Sequence, residues 1–349
     1  MIKRIFIISI LAVFILGGIV VGKNRSSKNL FSPIDLQDQG GLIDEPIPLS
    51  IEYMRQQEYP GSEIVIEQTL PPGSNYNRYL VSYRSDGLKI YALLTVPLGE
   101  KPEGGWPAIV FNHGYIQPEQ YRTTEKYLAY TDAFSKNGYI VFKPDFRGHG
   151  NSEGKPEGAY YSSAYTIDVL NAVSSLKNFE EVNPEKIGMW GHSMGGMITL
   201  RSMAVTKDIK VGEVWAGVVA SYEDLAKNWH HPVHNPQPWV PSQREQAAQR
   251  PGRQELIDQY GDFEQNPQFW QSISPISFVS DISGPIQLQH GTADAEVPLL
   301  FSQELEQALK KANKPVELFV YENDNHNLSN NLTLALKRSV EFFDKYLKI

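Results

Sequence analysis

"KIGMWGHSMGGMITLRSMAV", residues 186–205, decides the fold. Residues 186–190 make a short run of the kind that fills a buried strand. Residues 197–205 carry the spacing of a helix. Between them lies GHSMGG, residues 191–196. A chain that passes from strand to helix in so few residues forces the corner residue into a strained backbone conformation. The neighbours two positions away must be small, because the turn brings them together. Gly191 and Gly195 meet that need. The corner residue is Ser193, whose hydroxyl such a turn lifts clear of the sheet, with N–H groups at the helix start pointing toward it. The sequence therefore marks Ser193 as a candidate nucleophile and the Met194 N–H as a candidate oxyanion donor.

Outward from this corner, short apolar runs alternate with helical patterns. Strands are expected at 107–114, 139–145, 186–190, 214–221, 285–291 and 316–322. Helices are expected at 127–138, 161–178, 197–205, 299–312 and 330–347. Such alternation implies a mostly parallel sheet covered by helices on both faces, an α/β architecture. Before it, 63–70 and 78–97 read as strands, and Asp86-Gly87 turns the second stretch into a hairpin.

A serine hydroxyl needs a base, and the base needs an acid to hold it. "QHGTADAEVP" (289–298) puts Asp294 just past one expected strand. "YENDNHNLS" (321–329) puts His326 just past another. Both fall at the carboxyl edge of the sheet, where parallel sheets build their sites and where Ser193 also falls. His326 would take the Ser193 proton and Asp294 would hold the imidazole. Asp324, Asp145 and Glu296 are competing acids: Asp324 can cap the last helix and Asp145 can support its own loop. "NHGY" (112–115) ends the first central strand, and the Tyr115 N–H is the candidate second oxyanion donor. His113 and His192 flank the site and are expected to hydrogen-bond locally.

Composition narrows the remaining classes. The 349 residues carry a net charge of −8 with no basic patch, so no nucleic-acid partner is expected. There is no cysteine, which excludes disulfides and thiol catalysis. "HHPVH" (230–234) has no carboxylate at a regular spacing, and no metal site is expected there. "RGHGNSEGK" (147–155) lacks phosphate-loop spacing. Residues 1–22 place Lys3 and Arg4 before an uncharged apolar run from Ile5 to Val21, which reads as a membrane anchor or a signal segment. No clean cleavage site follows, which favours the anchor, and the body is expected outside the cytoplasmic membrane, or secreted if the segment is cleaved. Residues 23–62 read as a tether and 63–349 as the catalytic domain. Within that domain, 222–275 holds Trp229, Trp239, Trp270 and many prolines, and reads as a lid-like insertion.

"FNHGY", "DFRGHGNSEG", "GHSMGG", "SPISFVSDISGPIQLQHGTADAEVP" and "NDNHN" stand in an order that resembles the α/β-hydrolases, and more narrowly the catalytic domain of prolyl-oligopeptidase-like serine hydrolases. The resemblance covers about residues 80–347. It implies acyl transfer through a covalent acyl-enzyme, with Ser193, His326 and Asp294 as the triad and no cofactor. Family peptidases carry a β-propeller before this domain, and the residues before 63 are too few for one. Propeller-free relatives include many esterases. The expected substrate is thus a short peptide or amide, with a small ester as the alternative. A non-catalytic binding protein on the same fold would show a degraded triad, and this triad is intact.

Overall fold

The computed structural model describes residues 47–229 and 252–348. The expected membrane segment 1–22, most of the tether, "HHPVH" and the middle of the insertion lie outside the described residues. Nine strands form one sheet: β1 (Val65–Leu70), β2 (Tyr76–Ser85), β3 (Leu88–Pro97), β4 (Trp106–Asn112), β5 (Ile140–Pro144), β6 (Val182–His192), β7 (Val211–Trp215), β8 (Ile286–Gly291) and β9 (Val316–Tyr321). Their order is β1-β2-β3-β5-β4-β6-β7-β8-β9. The first three strands and β5 pair antiparallel. From β5 through β4 to β9 every pairing is parallel. This is the mostly parallel α/β-hydrolase sheet that the sequence predicts. Asp86 and Gly87 take φ of 50° and 77° between the paired Ser85 and Leu88, the two left-handed residues of a tight hairpin turn.

The central strands read as continuous apolar runs because each is buried on both faces. In β4, Ala108 and Val110 enter one core while Ile109 and Phe111 enter the other. In β5, Ile140 and Phe142 face the first core and Val141 the second. The first core is closed by α3 (Ala164–Lys177), α4 (Met194–Val205) and the helix Leu299–Lys311. The second is closed by α2 (Leu128–Lys136) and the last helix, Leu332–Leu347. The twofold alternation of side chains along these strands thus separates two cores.

Residues 47–62, inside the stretch read as a tether, pack on the body. Helix α1 (Ile51–Arg55) buries Ile51 and Met54, and Arg55 Nη2 donates to the Ala204 carbonyl at 2.7 Å. Between β7 and β8 stand the helices α5 (Tyr222–Asn228), α6 (Arg253–Tyr260) and α7 (Pro267–Ser272), within the range read as an insertion. One expected strand is shorter and earlier than its apolar run suggests. The run 214–221 leaves the sheet after Trp215, and β7 instead begins at Val211. Ala216 turns with φ of 45°, and Val218 N–H donates to the Ser193 carbonyl at 3.2 Å. Residues 216–220 are buried because they wrap the nucleophile corner, and burial alone gives an apolar run without a strand.

One buried carboxylate sits in the second core. Glu213 Oε1 accepts from Ser339 Oγ at 2.5 Å, Trp215 Nε1 at 2.6 Å and Gln289 Nε2 at 2.6 Å, while its Oε2 has no partner. Burial outweighs these donors and raises the carboxyl from 4.5 to about 7. A raised folded value means that stability is fully present below pH 4.5 and is lost as the pH rises to about 7. Glu213→Gln should therefore gain on the wild type by up to about 3 kcal/mol between pH 4.5 and pH 8. Denaturant titrations at both values check this, and a pH-independent difference between the two proteins refutes it.

Candidate active site

Ser193 stands between β6 and α4 with φ of 54° and ψ of −117°, a region that costs an L-residue about 1–3 kcal/mol. Three main-chain bonds hold it there. Its N–H donates to the Trp215 carbonyl at 2.9 Å, and its carbonyl accepts from Gly196 and Val218 at 3.0 and 3.2 Å. The flanking glycines are dictated by space. A Cβ on Gly191 would lie 2.3 Å from the Gly195 carbonyl oxygen, and one on Gly195 would lie 2.0 Å from that of Asn112. The loop after β4 presses on the same corner: a Cβ on Gly114 would come within 3.3 Å of Ser193 Cβ. Tyr115, an exposed residue, follows that contact, and Met194 opens α4 with its N–H at the helix start. First-turn N–H groups have no partner within their helix.

The loops after β8 and β9 are zipped together beyond their strands. Thr292 N–H donates to the Tyr321 carbonyl at 2.9 Å, Ala293 N–H to the Asp324 carbonyl at 2.9 Å, and Asn323 N–H to Thr292 Oγ1 at 2.8 Å. This pairing brings Asp294 Oδ2 to 2.7 Å from His326 Nδ1. Asp294 Oδ1 accepts from the N–H groups of Glu296 and Val297 at 2.8 and 2.9 Å, and His290 Nε2 lies 3.0 Å from Oδ2. Burial alone would raise this carboxyl, but the two histidines and the turn N–H groups overcome it and hold it well below the carboxylate range. An ionised Asp294 accepts the Nδ1 proton of His326, which leaves Nε2 free to take a proton. The Ser193 hydroxyl makes no hydrogen bond to His326, so this is the one contact of the three residues that the structure does not close.

The competing acids are placed elsewhere. Asp324 is fully buried and accepts from the Asn325, Asn330 and Asn331 N–H groups, which fixes the turn leading into the last helix rather than capping its first turn. Burial opposes its ionisation, yet these donors and the Asn331 amide hold it below its ordinary value. Asp145 accepts from Tyr121 Oη at 2.9 Å and Thr123 Oγ1 at 2.5 Å, anchoring the loop between β4 and α2. Glu296 lies on the other side of the imidazole, its Oε2 3.7 Å from His326 Nε2.

One part of the site has no signature in the sequence. The carbonyl of His326 can only accept, so the 3.0 Å contact to His192 Nε2 puts a proton there. Burial, reinforced by the neighbouring His326, lowers His192 to about 3, so the ring is neutral and its Nδ1 accepts from Tyr127 Oη at 2.8 Å. Tyr127 in turn accepts from Gly114 N–H at 2.9 Å. This chain of bonds ties the loop after β4, the nucleophile corner and the His326 loop to one another. His113 stays local as expected: it stacks between Tyr121 and Phe146, and its Nδ1 donates to the Gly114 carbonyl at 2.7 Å. Among the described residues no group of three or more potential metal ligands converges.

Two family descriptions match successive parts of the chain: "Serine aminopeptidase, S33" over residues 107–234 and "Prolyl oligopeptidase family" over residues 252–349. The chain is 25% identical over 266 residues to the uncharacterized peptidase YtmA of Bacillus subtilis strain 168, covering 75% of this chain and 91% of that protein. Among solved structures, it superposes on the acylaminoacyl peptidase of Pyrococcus horikoshii with a TM-score of 0.61 at 22% identity, covering 79% of this chain but 42% of the peptidase. It superposes on an acetyl xylan esterase from Paenibacillus sp. R4 with a TM-score of 0.62 at 19% identity, covering 85% of this chain and 92% of the esterase. With the strained serine corner and the sheet that carries it, these matches make the chain a serine hydrolase of the α/β-hydrolase fold, similar in successive parts to the serine aminopeptidases and to the prolyl oligopeptidase family.

Proposed function

We propose that the chain cleaves short peptides or small amides by acyl transfer through Ser193, His326 and Asp294. The observation that carries this reading is the 2.7 Å bond between an ionised Asp294 and His326 Nδ1, beside a serine held in a strained corner. Ser193 Oγ attacks the acyl carbon while its proton passes to His326 Nε2. The Met194 and Tyr115 N–H groups receive the oxyanion. His326 then gives the proton to the departing amine, and water, activated by the same histidine, releases the acyl group from Ser193. Asp294 keeps Nδ1 protonated throughout and stabilises the imidazolium. No step requires a cofactor.

A second reading, hydrolysis of small esters, is favoured by one specific observation. The chain superposes over most of its length on an acetyl xylan esterase as well as on an acylaminoacyl peptidase. Lys3 and Arg4 ahead of the apolar run support an anchored body outside the cytoplasmic membrane. A fusion reporter placed after residue 40 should be active only outside the cytoplasm, and activity confined to the cytoplasm overturns that placement.

The assay that tests the mechanism compares a short-chain p-nitrophenyl ester with aminoacyl and prolyl p-nitroanilides. Serine-dependent cleavage of the anilides supports the peptidase reading; cleavage of the ester alone supports the second. Ser193→Ala should reduce turnover to background with the melting temperature nearly unchanged, and Asp294→Asn should cost about 10⁴-fold in kcat. Retained turnover in Ser193→Ala sinks the mechanism.

Tyr127→Phe removes the donor to His192 Nδ1 and the acceptor of Gly114 N–H. Loss of one such bond is worth about 1 kcal/mol. The expected result is a kcat reduced about fivefold with KM nearly unchanged, because the base loop and the oxyanion loop lose their common tie. A change confined to KM would refute that role.

A further inference from the structure

The sheet face covered by α2 carries two cations that the triad does not use. Arg78 of β2 pairs with Thr95, which pairs with Val141, and Leu80 pairs with Leu93, which pairs with Lys143. Paired residues and alternate residues share a face. Arg78 and Lys143 therefore lie on the side of the sheet where Thr95 Oγ1 meets Ser135 Oγ of α2 at 2.7 Å. Against this face is a cavity of about 280 Å³, lined by Leu70, Pro71, Arg78, Thr124 and Leu128. None of Ser193, Asp294 and His326 lines it.

The positive charge here is poorly matched. Among the described residues Arg78 forms no ion pair and no hydrogen bond, and the Thr124 hydroxyl has no partner either. Acids on the same side are spent. Asp132 of α2 accepts from Tyr76 Oη at 2.8 Å and Lys136 Nζ at 2.6 Å, and Asp145 accepts from Tyr121 and Thr123. Lys143 is fully buried, and its ammonium finds one carbonyl, that of Lys126 at 3.3 Å, and the face of the Tyr121 ring. Lys126 stands in the loop between the lining residues Thr124 and Leu128. Burial pulls Lys143 below its ordinary value, Asp145 draws it back up, and Arg78 adds repulsion.

We propose that this cavity binds a small carboxylate with a short apolar body, its oxygens on the Arg78 guanidinium and the Thr124 hydroxyl and its carbon chain against Leu70, Pro71 and Leu128. A guanidinium presents a planar fork that matches a carboxylate. A mineral anion would leave the three apolar walls unused. The volume falls at the lower end of small-molecule pockets, about 300–1,000 Å³, and suits a body of a few carbons. The Lys143 ammonium, behind the Lys126 carbonyl, adds favourable field without contact. Thr124 lies three residues before Tyr127, whose hydroxyl joins Gly114 N–H to His192. A bound carboxylate thus fastens, from the far side, the loop that carries this tie.

The test titrates the full-length chain calorimetrically with hexanoate, with hexanamide, its neutral counterpart, and with inorganic phosphate. Hexanoate should bind, and the other two should bind weaker by about tenfold or more. Arg78→Gln should weaken hexanoate by about tenfold, and Thr124→Val by about threefold. Arg84→Gln, on the same strand but paired with Glu153 at 3.7 Å, should leave it within about twofold. Hexanoate should also slow amide hydrogen exchange in the loop holding Thr124 in the wild type and not in Arg78→Gln. Absence of hexanoate binding overturns the assignment. So does phosphate binding as tight as hexanoate, which would make this a mineral-anion site, and so does binding unchanged in both Arg78→Gln and Thr124→Val, which would place the ligand elsewhere.

Discussion

The nucleophile corner crosses the end of β4 at a distance that admits no side chain, and the site is built on that approach. Gly195 meets the Asn112 carbonyl so closely that a Cβ would overlap it, and Gly191 meets Gly195 in the same way. Asn112 Nδ2 completes the contact by donating to Thr199 Oγ1 at 2.9 Å, one turn into α4. The start of α4 is thereby pressed onto the last residue of β4. Because β4 and β6 are neighbours where the strand order reverses, the loop after one strand and the serine after the other meet in a single corner. Ser193 bears the strain because Trp215 of β7 and Val218 beyond it bond its backbone from the other side. Three strands thus fix one backbone conformation that the serine alone would not adopt.

Among Asp294, Asp324, Glu213 and Asp145, the charge state follows the donors that each carboxylate finds against its burial. Asp294 and Asp324 both have donors on each oxygen, several of them backbone N–H groups, and both are held below the usual carboxylate range. Glu213 has three donors on one oxygen and none on the other, and burial wins. Asp145 has two hydroxyl donors, and burial pushes it upward too. Only an ionised acid can support an imidazolium. Of the two ionised candidates near His326, Asp324 spends its oxygens on the turn that leads into the last helix. Asp294 keeps an oxygen bonded to the imidazole Nδ1, on the side away from Glu296.

The parts of this design that were legible in the sequence are those fixed by local chain geometry. The GHSMGG corner needs a strand before it, a helix after it and small residues at 191 and 195, and all of these are contiguous. The alternation of strands and helices placed Asp294 and His326 at the same sheet edge for the same reason. What escaped depends on contacts between distant residues. The run 214–221 is as apolar as a strand, and only the bond from Val218 to Ser193 shows why it leaves the sheet. Tyr127 opens α2 with φ of 62°, and nothing in its helical pattern distinguishes it from a core aromatic. Its partner His192 is 65 positions away. Glu296 was visible as an acid near the Asp294 turn, but which side of the imidazole it occupies is a property of the folded loop.

That loop explains how a fold of this kind can change substrates without losing its chemistry. The pairing of β8 with β9 continues past the strands as main-chain bonds, and a Cβ on Gly291 would lie 2.2 Å from the Asp324 carbonyl oxygen. Asp294 and His326 therefore meet mainly through paired backbone. Two residues further on, the same turn presents the Glu296 side chain to the rim and its carbonyl to Trp229, at the end of α5 where the inserted helices begin. The acid that the triad needs and the groups that face the substrate share one short turn but use different atoms of it. Side chains at the rim, and the helices docked against it, are free to vary while the Asp294 carboxylate keeps its four donors.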